Sequence, residues 1–179
     1  MERERRIDDI GDHLEDHEFL AALFEEVCED TKENFLTEGE RPALLFVVTR
    51  LGAAVIRGDW DPDVDKEAIA RSIHDSICRT AIKTGSEPVY DEPLAVLLIA
   101  EAWMVEFDEE ETRRYPDEYV PPRLHPRRRE ILMVTFRTKN LSFSRNWPIL
   151  RQGDNVALGE AKDLSGEGME SVWDIILTG

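Results

Sequence analysis

Between His13 and Leu36 the apolar positions recur with helical spacing. At about 100° per residue, Phe19, Leu20, Leu23, Phe24, Val27, Cys28 and Phe35 fall on one half of the wheel. Glu18, Glu25, Glu26, Glu29 and Glu33 crowd the other half, so the pattern predicts an amphipathic helix with an acidic outer face. Few cations stand four residues on from these glutamates, and like-charge neighbours cost a few tenths of a kcal/mol per pair. Packing of the apolar face must offset that. Thr37-Glu38-Gly39-Glu40 ends the helix, with Gly39 as its C-terminal stop.

Ala43 to Thr49 is a continuous apolar run short enough for a buried strand, and Gly52 to Ile56 is its partner across a turn at 49–52. A second helix starts near Asp65, where Ile69, Ile73 and Ile77 recur every fourth residue and Ala70 and Ala81 widen the stripe. Gly85 and Pro88 mark its exit. Leu94 to Phe107 carries apolar residues on both alternating faces, the pattern of a central strand covered on both sides. The charged, proline-containing stretch 108–129 is long for a connection within a domain. Ile131–Arg137 and Leu141–Ile149 follow as strands joined at Lys139-Asn140, with Pro148 indicating an edge or a strand end. Gly153-Asp154-Asn155 turns into Val156–Ala161, and Val172–Leu177 is either a strand or a short helix. Consecutive strands with short turns predict an α+β fold over residues 1–179 as one domain. Its sheet is mainly antiparallel with five to six strands, and the acidic N-terminal helix and the second helix pack on it.

Charge sharpens this division. The chain has 179 residues and a formal net charge of −17. Residues 1–40 hold 4 Lys/Arg against 15 Asp/Glu (4 − 15 = −11), so an acidic N-terminal helical segment precedes a nearly balanced body over 41–179. Net charge speaks to solubility and partners and not to fold. Seventeen arginines against five lysines also fit a salt-adapted surface, although adaptation would be expected to spread the acid more evenly. No apolar run reaches the roughly 18–20 residues of a membrane span, and residues 1–6 lack the apolar stretch of a secretory signal. These features predict a soluble, cytoplasmic chain with no membrane partner. Cys28 and Cys78 lie beside the stripes of two different predicted helices, which favours buried free thiols over a disulfide.

No motif specifies a reaction or a cofactor. Asp59-Trp60-Asp61-Pro62-Asp63-Val64-Asp65 resembles the start of a calcium loop, but Val64 and Ala70 stand where the required glycine and glutamate belong. Helix-start capping explains those aspartates. His13 and His17 are one helical turn apart and could ligate a metal, yet no third ligand is evident and core-edge histidines are the simpler account. Glu101 is a carboxylate in the predicted central strand and needs a partner or a raised pKa. It could serve as general base with His125 as acid and a loop arginine such as Arg127 as anion clamp. A structural ion pair explains it as well. The cluster Pro121 to Arg129 is basic, but the acidic Asp108-Glu109-Glu110-Glu111 upstream offers internal pairing, and direct nucleic-acid contact is not expected.

Ala100-Glu101-Ala102-Trp103, followed by His125-Pro126-Arg127 and by Glu130 leading into a strand, resembles small uncharacterised bacterial and phage proteins over roughly residues 43–160. The resemblance implies no activity. The first functional expectation is therefore a non-enzymatic interaction protein. Its acidic face, Glu18, Glu25, Glu26, Glu29 and Glu33, would bind a basic protein surface, as an inhibitor or, at its furthest, as a nucleic-acid mimic. One alternative is an enzyme built on Glu101, His125 and the loop arginines. The other is an acidic face that only solvates the chain, with self-association open.

Overall fold

The computed structural model describes residues 9–58, 65–84, 87–114, 120–153, 155–164 and 172–179. Helix α1 spans His17–Glu38. It starts four residues later than the apolar pattern suggests, because Asp16 caps it: the Oδ1 of Asp16 accepts the Phe19 N–H at 3.0 Å. Asp9–Asp12 precede it as a 3-10 turn that buries Ile10. At the other end Gly39 takes the left-handed conformation (φ 77°) and donates its N–H to the Phe35 carbonyl, the expected stop.

Strands β1 (Ala43–Thr49) and β2 (Gly52–Gly58) form a hairpin, and helix α2 (Lys66–Cys78) follows. The Oδ1 of Asp65 accepts the Ala68 N–H at 3.0 Å, which is helix-start capping. The remainder of the aspartate-rich motif, 59–64, lies outside the described residues. α2 ends well before Gly85. Residues 81–90 instead form a separate hairpin of β3 (Ala81–Thr84) and β4 (Glu87–Tyr90). The sequence there is rich in β-branched and aromatic types (Ile82, Thr84, Val89, Tyr90), which favour a strand over a prolonged helix.

Strand β5 is Pro93–Met104. The connection over 108–129 contains a short helix, α3 (Glu109–Arg114), and a 3-10 turn at Pro122–Leu124. Strands β6 (Arg129–Thr138), β7 (Ser142–Gln152), β8 (Asn155–Leu158) and β9 (Lys162–Asp163) come next. The last element is helical: a 3-10 turn, Val172–Asp174, leads into α4 (Ile175–Thr178). The main sheet runs β2-β1-β5-β6-β7-β8 with every pair antiparallel, and β9 also pairs with β7. The fold is α+β. Among the described residues the sheet has six strands in its main order, and β9 adds a seventh because two short strands share the outer flank of β7. β9 pairs at Arg145 and Asn146, β8 pairs from Ile149 onward, and Pro148 lies between them. Pro148 has no N–H to give, but its carbonyl accepts the Gly159 N–H at 2.8 Å.

β5 alternates between two cores. Ala95, Leu97 and Ile99 face α1 and join Leu20, Phe24, Cys28, Phe35, Leu132, Val134 and Trp147. Val96, Leu98 and Ala100 face the opposite side with Leu45, Val47, Ala70, Ile176 and Leu177, from β1, α2 and α4. Both cysteines are free; Cys28 is buried and Cys78 is partly exposed. No helix of the described residues is long and apolar enough to cross a membrane.

Leu132 sits at the centre of the α1-side core with no exposed surface, whereas Leu124 is 63% exposed. Leu132→Ala is expected to cost about 2–5 kcal/mol in urea unfolding. Leu124→Ala should stay within about 0.5 kcal/mol of the unmodified chain. Equal losses would contradict the core described here.

Candidate functional site

The acidic face survives folding only in part. Glu18, Glu25, Glu29 and Glu33 are exposed, and Glu26 is partly buried at the border of the face. Glu25 is already engaged. Arg145 of β7 donates to both of its oxygens, at 2.6 and 2.8 Å, and turns its Nε to Asp163 at 2.5 Å. The guanidinium lies 5.7 Å from the Phe24 ring and its side chain is only 16% exposed. These hydrogen bonds, first to Glu25 and then to Asp163, raise the Arg145 pKa, and Arg145 in turn holds Asp163 below its ordinary range. Exposed Glu29 has the partly exposed Lys32 at 3.5 Å. Cys28 lies on the buried face of α1, and burial pushes its thiol up to about 12, so it is an inert core residue.

The two helix-entry histidines have different surroundings. The His13 ring stacks on Phe19 with centroids 4.2 Å apart, and its Nδ1 is 3.9 Å from Asp16. His17 is the exposed first residue of α1. Among the described residues no cluster of three or more His, Cys, Asp or Glu could hold a metal ion.

Glu101 lies near the end of β5, on the α1 side, opposite Leu132. It lines an open cleft of about 1070 Å³ together with Glu38, Arg41, Lys66, Glu130 and Arg151. Its Oε1 accepts the Arg41 N–H at 2.5 Å and its Oε2 accepts from Arg151 at 2.8 Å. Arg151 also donates to both oxygens of Glu130, at 3.0 and 3.1 Å, and to the carbonyl of Gly39 at 2.9 Å. One guanidinium therefore ties the C-terminus of α1 to β5 and β6. Desolvation raises the Glu101 pKa; the Arg41 N–H and Arg151 pull it down, and neighbouring Glu130 pushes it up.

The structure does not bring Glu101, His125 and Arg127 together. His125 does not line the Glu101 cleft. It meets the edge of Phe107, with centroids 5.6 Å apart, and its Nδ1 accepts the Arg127 N–H at 3.2 Å. The Arg127 guanidinium reaches back across the loop to Glu111 at 2.6 Å. The Asp108 N–H and then Arg127 hold the Glu111 carboxyl below its usual range. Arg128 lies 5.0 Å over the Trp103 ring, and Arg129 is 3.8 Å from Glu106, which also pairs closely with Lys162. Arg137 turns to the other face of the sheet and pairs with Asp174 at 2.5 Å. The basic cluster is thus largely spent on internal contacts.

Sequence reasoning did not single out Arg145 and Arg151. Six residues apart, they share one face of β7 with Trp147 and Ile149, the face turned to α1. Two arginines in register within an otherwise apolar face, in a chain with an acidic amphipathic helix, were the available signal. No family model, no curated protein and no solved structure matches this chain.

The raised Glu101 pKa has a definite sign. A carboxyl whose folded pKa exceeds its ordinary 4.5 adds stability below that value and loses it as pH rises through the folded pKa. The stability of the unmodified chain relative to Glu101→Gln should therefore decline as pH is raised from about 4 to 7, read from urea unfolding at stepped pH. A flat or rising difference would rule out desolvation as the dominant influence on Glu101.

Proposed function

We propose that the chain is a non-enzymatic interaction protein whose α1 outer face binds a basic surface on a partner protein. One observation carries this reading: among the described residues the exposed glutamates on the outside of α1 have few ion-pair partners, while many carboxylates elsewhere have a cation of the same chain beside them. Glu67, Asp75, Glu109 and Glu110 each have an arginine four residues on. Glu101, Glu130, Glu106 and Glu111 pair with cations distant in the same chain. On α1 the exposed row Glu18, Glu29, Glu33 is served by Lys32 alone among the ion pairs of the described residues. Unneutralised carboxylates on a rigid helix steer and select a positively charged partner.

Nucleic-acid mimicry has weaker support, because Glu25 is turned into the chain by Arg145 and interrupts the row. The enzymatic reading keeps a carboxyl in a cleft, but the proton donor it requires, His125, packs on Phe107 instead.

The test compares two triple variants of equal charge change. Glu18, Glu29 and Glu33 are changed to Gln in one; the arginine-paired Glu67, Glu109 and Glu110 are changed to Gln in the other. Glu25 is left in place to keep the Arg145 contact. Partner capture from a source-cell lysate should weaken with added salt. The α1 variant should lose about tenfold in affinity, or about 1.4 kcal/mol, while the control variant keeps its partner. Equal losses, or no partner for the unmodified chain, would leave the acidic face as a solvating surface.

A further inference from the structure

We propose that Cys78 is a base-assisted nucleophilic thiol, a modification site for small neutral hydroperoxides, with His74 as its proton acceptor. The two residues are one turn apart near the C-terminus of α2, and the Cys78 Sγ is 3.5 Å from His74 Nε2. The other ring nitrogen, Nδ1, is 2.9 Å from the carbonyl oxygen of Ile176 in α4. A carbonyl can only accept, so Nδ1 carries the hydrogen and the Nε2 lone pair is left facing the thiol. A nucleophile, a base within reach and a third group that fixes the base's tautomer form the arrangement that activates thiols and hydroxyls. Packing holds it in place. α4 buries Ile176 and Leu177 in the core shared with α2, and a side chain at Gly179 would come within 3.0 Å of Nε2.

The two cysteines have opposite environments. Cys28 is fully buried on the inner face of α1 with its thiol pushed up, whereas Cys78 is partly exposed on the opposite side of the sheet. Small neutral hydroperoxides are the reagent class a thiol beside a base reduces without needing a binding pocket of its own. As the sulfur attacks the terminal peroxide oxygen, the thiol proton passes to Nε2. An S–O bond forms, the O–O bond breaks, and the leaving oxygen takes the proton back as water or an alcohol. The sulfur is oxidised by two electrons to the sulfenic acid and the peroxide is reduced by two. Cys28 lies on the other face of the sheet, so return to the thiol requires an external thiol.

The test treats the full chain with hydrogen peroxide at neutral pH, traps sulfenic acid with a cyclic 1,3-dione and assigns the label by mass spectrometry. Cys78 is expected to label and Cys28 to remain free. His74→Gln, shown to be folded by circular dichroism, should slow labelling of Cys78 by at least about tenfold. Unchanged labelling in that variant would overturn the proposal. If the variant does not fold, the unmodified chain is compared with free N-acetylcysteine at the same pH. Cys78 should then react at least about tenfold faster, and an equal or slower rate would overturn the proposal.

Discussion

β5 is the constraint on which the architecture depends. A strand with Ala95, Leu97 and Ile99 on one face and Val96, Leu98 and Ala100 on the other cannot satisfy both faces with a single layer. Apolar area returns about 25 cal/mol per Å² when removed from water, so cover is needed on each side. α1 supplies one cover, α2 and α4 supply the other, and β1 and β6 close the hydrogen-bonding edges. The most apolar strand thereby becomes the interior of a three-layer structure.

The first cover is a helix rich in carboxylates, and two arginines of β7 reconcile that charge with close packing. Arg145 engages the middle of α1 through Glu25, and Arg151 engages its end through the Gly39 carbonyl. Both guanidiniums lie near rings of the same helix, Phe24 and Phe35. Each side chain thus contributes apolar stem and charge together, as long basic residues at the border of a core commonly do. The carboxylates beyond their reach remain the electrostatic signature of the molecule.

The parts of this structure legible in the sequence were those encoded by local period. α1, β1, β5 and the β6–β7 pair each carry enough regularly spaced apolar residues to be read directly. The β3–β4 hairpin was not, because two four-residue strands are too short to establish an alternation and they follow the α2 stripe without a break. Glu101 could be flagged as a central-strand carboxylate in need of a partner, but that partner, Arg151, is brought alongside only by the adjacency of β5, β6 and β7. The loop residues His125 and Arg127 looked available to it in sequence, and local contacts with Phe107 and Glu111 claimed them first. His74 and Cys78 meet through helical spacing, but the Ile176 carbonyl that orients the His74 ring comes from α4, whose position no local pattern reports.

The strand order also bears on how the chain is made. The β6–β7 pair closes across a short turn, with Arg137 opposite Ser142, but β1 must find β5 across a gap such as that from Leu44 to Ile99. Closing so large a loop is slow compared with forming a hairpin. During synthesis α1, β1 and β2 emerge before their main apolar partner exists, and an unpaired strand flank is a site of misassociation. The concentrated charge of the first forty residues travels with that waiting segment and repels other copies of it until β5 arrives.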